Sequence, residues 1–256
     1  MPASISAYTK KTMHDTNLIT LLLMALGAAF VQRVSGFGFG IFIMTVLPYL
    51  MPSYGEATTL SGLLASVTSC IIVARHWRYI HWRNLLPILT VFLIVSYIAI
   101  DFLGRTSDTI LHIMLGAALI AASLWFYAFS DRIRLPATLP TQVSMGTLSG
   151  ILGGLFGMQG PPAVLYFLSA ESDKRCYMAL AQTYFLMGNA VMTCFRASHG
   201  YLTPTVMTAW CYGILAVIAG TWIGSCVYRR LSMPVLRKVI YAYMAVSGAI
   251  AISQAL

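Results

Sequence analysis

The sequence predicts an all-α polytopic integral membrane protein, with an inverted-topology repeat and a glycine-broken helix in each half. Three observations predict this fold class: the composition, a series of long apolar segments, and two glycine-rich interruptions. Hydrophobic residues make up 59% of the 256 residues and charged residues only 9%, whereas soluble domains are about one quarter charged. Because so little polar surface cannot cover a water-soluble globule, lipid must solvate the chain.

The apolar segments fall into two groups of five. They are 18–34, 41–51, 57–74, 84–103 and 109–129, followed by 142–156, 161–170, 176–195, 205–227 and 236–256. Most approach the roughly 20 residues that a spanning helix needs. Segments 41–51 and 161–170 are about half that length, and each follows a glycine-rich stretch. Each therefore predicts a short helix that begins at a break, and both a spanning and a re-entrant course fit the pattern.

A shift of 121 residues overlays the two groups. It places Ser35–Gly40 on Phe156–Pro161 and Arg75 on Arg196. The shared order of segment lengths indicates an internal duplication. The predicted organisation is a polar N-terminal tail (1–16), a first transmembrane repeat (17–135) and a second (136–256).

The number of segments determines how the two repeats are oriented. In each repeat the short segment pairs with the one before it and returns the chain to its starting side, which leaves three full spans. Each repeat therefore crosses the membrane an odd number of times, so two consecutive repeats must have opposite orientations. This inverted arrangement is the recurrent plan of secondary transporters.

The basic residues predict which side faces the cytoplasm. Of the 16 Lys and Arg residues, 11 lie in one set of loops: Arg75, Arg78, Arg83, Arg132, Arg134, Lys174, Arg175, Arg229, Arg230, Arg237 and Lys238. The opposite loops hold Lys10, Lys11, Arg105 and Arg196, and Arg33 lies within the first hairpin. By the positive-inside rule the richer set is cytoplasmic, so both termini are non-cytoplasmic in the inner (plasma) membrane. The net charge of +9 follows from this bias and does not indicate nucleic-acid binding.

The two glycine-rich interruptions predict an anion site. An unpaired backbone group costs several kcal/mol in hydrocarbon, so a break is tolerated only where protein or a wet cavity receives those groups. A half-helix that starts there presents free N–H groups and a positive dipole end. Such starts occur at Gly38–Gly40 and Gln159–Pro162. Close helix packing is the alternative, and it suits Gly146, Gly150 and Gly154 because they are four residues apart.

Two motifs carry a resemblance to a known family. "VSGFGFGIFIMTVLPYL" and "LSGILGGLFGMQGPPAVLYFL" together resemble the paired signatures of the TauE/SafE sulfite exporters, also called toluene sulfonate uptake permeases, and the resemblance covers nearly the whole chain. The second motif departs from the family, which commonly has a glycine triplet or similar where this chain has Met158-Gln159-Gly160. The resemblance implies that the protein is not an enzyme. It implies secondary transport of sulfite or of organosulfonates such as sulfoacetate, taurine or isethionate. The sequence accordingly has no phosphate-binding loop.

The candidate substrate-binding residues lie at the breaks and on one helix. Those at the breaks are Ser35, Gly36, Phe37, Gly38, Gly157, Met158, Gln159 and Gly160. Gln182, Asn189 and Arg196 share one helical stripe, since they are seven residues apart. Hydrogen bonding between helices is the alternative for Gln182 and Asn189, and bonding within its own helix is the favoured interpretation for Ser61. Arg196 is expected at a membrane face, either attracting anions or marking the boundary.

The remaining patterns limit partners and cofactors. The five cysteines are scattered without a Cys-x-x-Cys pair, so we predict no metal and no cofactor. The expected partners are a small anionic substrate and the lipid bilayer. The sequence has no carboxylate in the middle of an apolar segment that would indicate a proton relay. Protons as the coupling ion and a homodimer are both compatible with the sequence. A channel-like anion conduit is one alternative, and a membrane enzyme or assembly factor, which needs a His, Cys or carboxylate cluster at membrane depth, is another.

Overall fold

A computed structural model of the chain describes residues 15–129, 135–171 and 173–227, and residues 245, 246, 248, 249, 252 and 253 of the last segment. The helices within 15–227 are α1 (Asp15–Ser35), α2 (Phe39–Ile43), α3 (Leu47–Leu50), α4 (Tyr54–His76), α5 (Trp82–Gly104), α6 (Asp108–Phe129), α7 (Leu139–Phe156), α8 (Gly160–Ala170), α9 (Lys174–Ser198) and α10 (Pro204–Val227). A 3₁₀ turn at Trp77–Tyr79 follows α4. Most of the predicted segment 236–256 and the basic residues Lys10, Lys11, Arg132, Arg134, Arg229, Arg230, Arg237 and Lys238 lie outside the described residues.

Two of the long helices begin at side-chain caps that the sequence supplies. The Ser53 hydroxyl accepts a hydrogen bond from the Glu56 N–H at the start of α4, and the Asp173 carboxylate accepts one from the Arg175 N–H at the start of α9. Such side chains satisfy backbone donors that have no partner within the helix. Glu56 and Asp108 lie in the first turns of α4 and α6, where a negative charge complements the positive end of the helix dipole.

The prediction of one short helix over 41–51 is wrong in one respect, because the structure has two short helices there, α2 and α3. Pro48 lies in the first turn of α3, and a proline in the middle of a helix would lack an N–H and clash with the preceding turn. The chain therefore leaves the helix after Ile43 and restarts at Leu47. By contrast, α8 is continuous because its two prolines, Pro161 and Pro162, lie in its first turn.

The packing pairs helices from the two halves. The most extensive contacts are α5 with α7, α1 with α10, and α4 with α9. The 121-residue shift maps α1 onto α7 and α5 onto α10, so the α1–α10 contact of one half with the other corresponds to the α7–α5 contact. The helices α4 and α9, which also correspond, lie at the centre. Two similar halves related by a two-fold axis would give this exchange. The opposite membrane orientation of the halves stays a prediction from the segment count.

A glycine stripe brings α5 and α7 together. A Cβ atom added to Gly150 would lie 2.7 Å from the Cβ of Val95, and one added to Gly154 would lie 2.5 Å from the Cβ of Ala99. At Gly146 it would lie 2.9 Å from a backbone carbonyl oxygen of α5. The packing interpretation of these three glycines is therefore confirmed.

The outer surface is apolar and suits lipid. Within the described ranges, four helical stretches of 19 to 26 residues are long and apolar enough to cross a membrane, with mean hydropathies of 1.7 to 2.3. They lie in α1, in α4 with the 3₁₀ turn that follows it, in α5 and in α10. Large side chains such as Leu215 and Trp222 on α10 are 73% and 70% exposed. The central helix α9 instead buries polar side chains, among them Gln182 and Asn189. This distribution is that of a multi-pass membrane protein.

Candidate functional site

The two chain breaks contact each other at the centre of the bundle. The first contains Gly36 and Gly38, with φ angles of 87° and 95°, and the second contains Gly157, with φ 66°. Only glycine adopts such angles without a steric penalty. A Cβ atom added to Gly40 would lie 2.0 Å from the carbonyl oxygen of Gly157. These glycines therefore allow both the turns and the close approach of the two backbones.

A cavity of about 30 Å³ lies between the breaks. That is room for about two water molecules, since one needs roughly 10–15 Å³ on this measure. Seven of the predicted site residues line it: Phe37, Gly38, Gly157, Met158, Gln159, Gly160 and Asn189. The rest of the wall consists of Gln32, Phe39, Gly40, Ile41, Ser61, Gly62, Ala65 and Phe185. The other predicted residues, Ser35, Gly36, Gln182 and Arg196, lie behind this wall.

A buried network of amides and a hydroxyl holds the first break. Gln182 Nε2 donates to the carbonyl oxygen of Gly36 at 2.7 Å. Gln182 Oε1 accepts from Gln32 Nε2 at 2.9 Å and from Ser69 Oγ at 3.0 Å, and Gln32 Nε2 also donates to Ser69 Oγ at 3.0 Å. The network links α1, α4 and α9 to the break, so Gln182 fixes the backbone that forms the cavity wall.

Ser35 and Gly36 also shape the first break from behind. The Ser35 hydroxyl lies 2.6 Å from the Phe37 carbonyl oxygen and 2.8 Å from that of Val31, either of which accepts its single proton. A Cβ atom added to Gly36 would lie 2.6 Å from the hydroxyl oxygen of Tyr177. Ser35 thus bonds to the backbone of the turn, and Gly36 leaves room for Tyr177.

The second break is held by α7 and α9. Gln159 Nε2 donates to Asn189 Oδ1 at 2.7 Å. The Ser149 hydroxyl donates to the Gln159 carbonyl oxygen and accepts from the Tyr184 hydroxyl at 2.7 Å. Tyr184 and Ser149 therefore position the backbone of Gln159, while its side chain is held by Asn189.

The half-helix starts present fewer amides than the sequence predicts. Because α8 begins Gly160-Pro161-Pro162 and proline has no N–H, Gly160 is the only one of its first three residues with an amide donor. The helix α2 has five residues, so few peptide dipoles add along it. Side chains must therefore supply much of the polarity of the site.

Arg196 lies in the interior, and the prediction that it lies at a membrane face is wrong. Its side chain has 0% exposure. Nη2 donates to the carbonyl oxygens of Gly153 and Gly154 at 2.9 and 3.2 Å, and Nη1 to that of Thr58 at 3.2 Å. Side chains on a helix point towards its N-terminus, so an arginine in the last turn of α9 reaches inwards. There it binds carbonyls at the negative C-terminal end of α7.

The positive charge of Arg196 lies one layer behind the cavity wall. A Cβ atom added to Gly62, a wall residue, would be 3.6 Å from both Arg196 Nη1 and Asn189 Oδ1. Within the described residues no carboxylate forms an ion pair with Arg196, and its Nε has no hydrogen-bond partner. A buried cation without an acid beside it favours an anion nearby.

Three polar atoms of wall residues are buried without a partner in the part of the chain that the structure describes. They are Gln32 Oε1, Ser61 Oγ and Gln159 Oε1. The expectation that the Ser61 hydroxyl bonds its own helix is therefore wrong. An unmade hydrogen bond at a buried group costs about 1–3 kcal/mol. The wall is thus suited to an occupant that supplies these bonds.

One cluster of potential metal ligands lies away from the cavity. The ligand atoms of His81, Glu171 and Cys176 lie within 4.8 Å of one another. His81 Nδ1 is 2.8 Å from Glu171 Oε1, which also accepts from Asn84 Nδ2 at 2.9 Å. The cluster links the start of α5 to the α8–α9 junction, at helix ends rather than in the bundle centre. Sequence reasoning missed it because His81 and Glu171 are 90 positions apart.

Comparison with known proteins gives the family. The family model described as "Sulfite exporter TauE/SafE" matches residues 21–250. The chain is 26% identical over 245 residues to the "Probable sulfite/organosulfonate exporter TauE" of Cupriavidus necator, an alignment that covers 89% of this chain and 90% of that protein. No solved structure matches the chain. Since the family model covers most of the sequence, the chain belongs to the TauE/SafE sulfite exporter family, whose members are membrane transporters of small anions and not enzymes.

Proposed function

We propose that this protein is a secondary transporter that moves organosulfonates or sulfite across the inner membrane by alternating access. The observation that carries the proposal is the central cavity between the two breaks, with the buried cation of Arg196 behind its wall. The related protein's name, a sulfite/organosulfonate exporter, supports sulfur oxyanions among the possible anions.

The polar groups around the cavity suit an anion that must also leave. The Ser61 hydroxyl and the Gly160 amide are neutral donors on the wall, and the guanidinium stands one layer back. Neutral donors bind an oxyanion without holding it as tightly as a direct ion pair. Such a site can release its substrate on the far side of the membrane.

The size of the cavity supports a cycle in which the two halves move. The space between the breaks has room for about two water molecules, which is less than a two-carbon sulfonate with its hydration needs. Entry of such a substrate therefore requires movement of the two halves, 17–135 and 136–256. The exchanged pairs α5–α7 and α1–α10 on either side of α4 and α9 suit rocking of one half against the other.

The coupling proposal follows from the cavity lining. The lining residues that the structure describes include no Asp, Glu or His, so the wall supplies no carboxylate or imidazole that titrates with substrate binding. We infer that transport follows the gradient of the anion itself, or of a proton carried on the substrate.

Uptake into proteoliposomes tests the function. The panel compares a sulfonate, sulfite, sulfate and a carboxylate of equal size, each with and without a pH gradient. We expect saturable uptake of sulfonate and sulfite, mutual competition between them, and weak competition by the carboxylate. Equal competition by carboxylates would contradict the substrate class, and flux that does not saturate would indicate the channel-like conduit instead.

A further inference from the structure

The orientation of one amide on the cavity wall is fixed by the backbone. A carbonyl oxygen can only accept, so the Gln182 atom 2.7 Å from the Gly36 oxygen must be its NH₂ group. Gln182 Oε1 therefore faces Gln32 and Ser69 as an acceptor. Gln32 must in turn present its NH₂ group to both. This chain of hydrogen bonds leaves no freedom to exchange the oxygen and nitrogen of Gln32.

The remaining atom of that amide is an acceptor without a donor. Gln32 is 1% exposed and lines the cavity, and its Oε1 has no hydrogen-bond partner among the described residues. All of the other polar side-chain atoms in the Gln32–Ser69–Gln182 network have partners. An amide oxygen cannot donate to a sulfonate or sulfite oxygen, so an occupant made only of acceptors would leave it unpaired.

The two walls of the cavity differ in how firmly their amides are fixed. At the second break the Gln159 amide bonds the side-chain amide of Asn189, so both amides can turn and present NH₂ groups to an anion, whereas Gln32 cannot turn. Gln32 belongs to the side of the first break, through its link to Gly36. Ser61 lies beside the second break, since a Cβ atom added to Gly157 would be 3.7 Å from its hydroxyl oxygen. Ser61 can donate to an anionic group on that side, whereas Gln32 can only accept from the occupant.

We propose that the preferred substrate is a sulfonate or sulfur oxyanion that carries its own hydroxyl, ammonium or acid proton, which donates to Gln32 Oε1. This inference rests on the proposed function and specifies the substrate class at the same site. A hydroxy- or amino-alkanesulfonate meets the requirement, and so does hydrogensulfite. An alkanesulfonate does not, and a sulfonate ending in a carboxylate presents acceptors at both ends.

Two sulfonates of the same shape test the requirement. 2-Hydroxyethanesulfonate and propane-1-sulfonate have the same number of heavy atoms and differ in a hydroxyl against a methyl group. Equilibrium binding of each to the full-length protein in nanodiscs gives two affinities. We expect the hydroxyl compound to bind about tenfold more tightly, as one hydrogen bond to an otherwise unpaired buried acceptor allows. Equal affinities, or tighter binding of the propyl compound, would overturn the inference.

The variant Gln32→Leu assigns the preference to this amide. Leucine offers no acceptor, so the affinity ratio should fall towards one. A purely structural effect would weaken both ligands equally and leave the ratio unchanged, which would overturn the inference. The matched control is Gln142→Leu, because Gln142 is another buried glutamine, bonded to the Tyr166 hydroxyl and absent from the cavity wall. Its ratio should stay at the wild-type value.

The possible failures are distinguishable. If Gln32→Leu does not fold, the wild-type comparison alone decides: a tenfold preference supports the inference and equal affinities overturn it. If both sulfonates bind and are transported without preference, the proposed function stands and the inference is overturned. Failure of both sulfonates to bind or be transported would overturn the proposed function and this inference together.

Discussion

Gln32 and Gln182 carry the same side chain, but their neighbours give the two amides different roles. The sequence predicts an inward-facing Gln182 because it shares a helical stripe with Asn189 and Arg196. Nothing in the sequence distinguishes Gln32, which stands beside Arg33 at the end of an apolar run. Its importance depends on contacts with α4 and α9, 37 and 150 positions away. Helical periodicity predicts which face is polar but not which partner each polar group has.

Gln159→Ala is expected to weaken sulfonate binding about tenfold and to lower the melting temperature only by the loss of its bond to Asn189. The side chain offers hydrogen bonds at the cavity wall, while the backbone oxygen of residue 159 keeps its bond from Ser149. Loss of one hydrogen bond to a charged ligand is worth about 1.5–3 kcal/mol. Binding and thermal unfolding are measured on the same purified sample.

Gln142→Ala is the matched control for that change. It removes the buried bond to Tyr166 away from the cavity, so it should lower the melting temperature and leave the affinity unchanged. If Gln159→Ala instead lost stability and kept wild-type affinity, the side chain would serve helix packing and not binding.

Arg196→Met is expected to destabilise the protein by about 3 kcal/mol or more and to reduce sulfonate affinity. Methionine leaves the carbonyls of Thr58, Gly153 and Gly154 without their donor, and hydrogen bonds to charged groups are worth about 1.5–3 kcal/mol each. Arg196→Lys keeps the charge without the planar fork, so it should recover more affinity than stability. Denaturation and binding curves for the two variants make this comparison.

The exposed Arg105 provides the control for Arg196. Its side chain is 77% exposed and pairs with Asp101 one turn away on α5, and exposed pairs are worth roughly 0–1 kcal/mol. Arg105→Met should therefore stay close to wild type in stability and affinity. An Arg196→Met protein that behaved like it would contradict the role assigned to the buried guanidinium.

At the scale of the elements, the sequence locates the breaks well and their internal shape less well. Glycines at alternate positions do not line one helical face, and this predicts the interruption at Gly36–Gly38. The exact course of 41–51 depends on Pro48, which interrupts a run that is apolar almost throughout and so leaves no trace in its hydropathy. The inward position of the Arg196 side chain depends on the carbonyl groups at the C-terminal end of α7. Those groups become its neighbours only through tertiary packing, so the sequence around Arg196 does not predict them.

Gly40→Ala is expected to disrupt the contact between the two half-helix starts. Its Cβ atom would lie 2.0 Å from the Gly157 carbonyl oxygen, a backbone atom that cannot move aside alone. We expect a large loss of melting temperature, or of folded protein, measured by size-exclusion chromatography and thermal unfolding.

Gly62→Ala is the control, because its Cβ atom would have only ordinary contacts at 3.6 Å. Gly62 also lines the cavity, so this variant should fold normally and change only substrate binding. A Gly40→Ala protein as stable as Gly62→Ala would show that the breaks do not meet as described.

At the scale of the whole molecule, the segment count and the packing support each other. The sequence alone predicts two similar halves, and the exchanged pairs α5–α7 and α1–α10 agree with that duplication. Long-range links such as His81–Glu171 could not be predicted, because they join positions far apart in the chain that carry no shared pattern. The orientation of the halves across the membrane rests on the distribution of Lys and Arg.

Both termini are predicted on the non-cytoplasmic side, and C-terminal reporter fusions check this. Alkaline phosphatase fused after Leu256 should be active, and a green fluorescent protein at the same position should be dark. The matched fusions after Tyr79, in a loop predicted to be cytoplasmic, should give the opposite pair of signals. Identical signals at the two positions would contradict the odd number of crossings that separates them.

The most direct test of a central anion site is an experimental structure of the protein with bound 2-hydroxyethanesulfonate. We expect ligand density between the two breaks, in contact with residues of both 37–40 and 157–160, with the sulfonate towards Ser61 and the hydroxyl towards Gln32. Uninterrupted helices through these stretches, or a ligand bound elsewhere while the breaks face lipid, would contradict it.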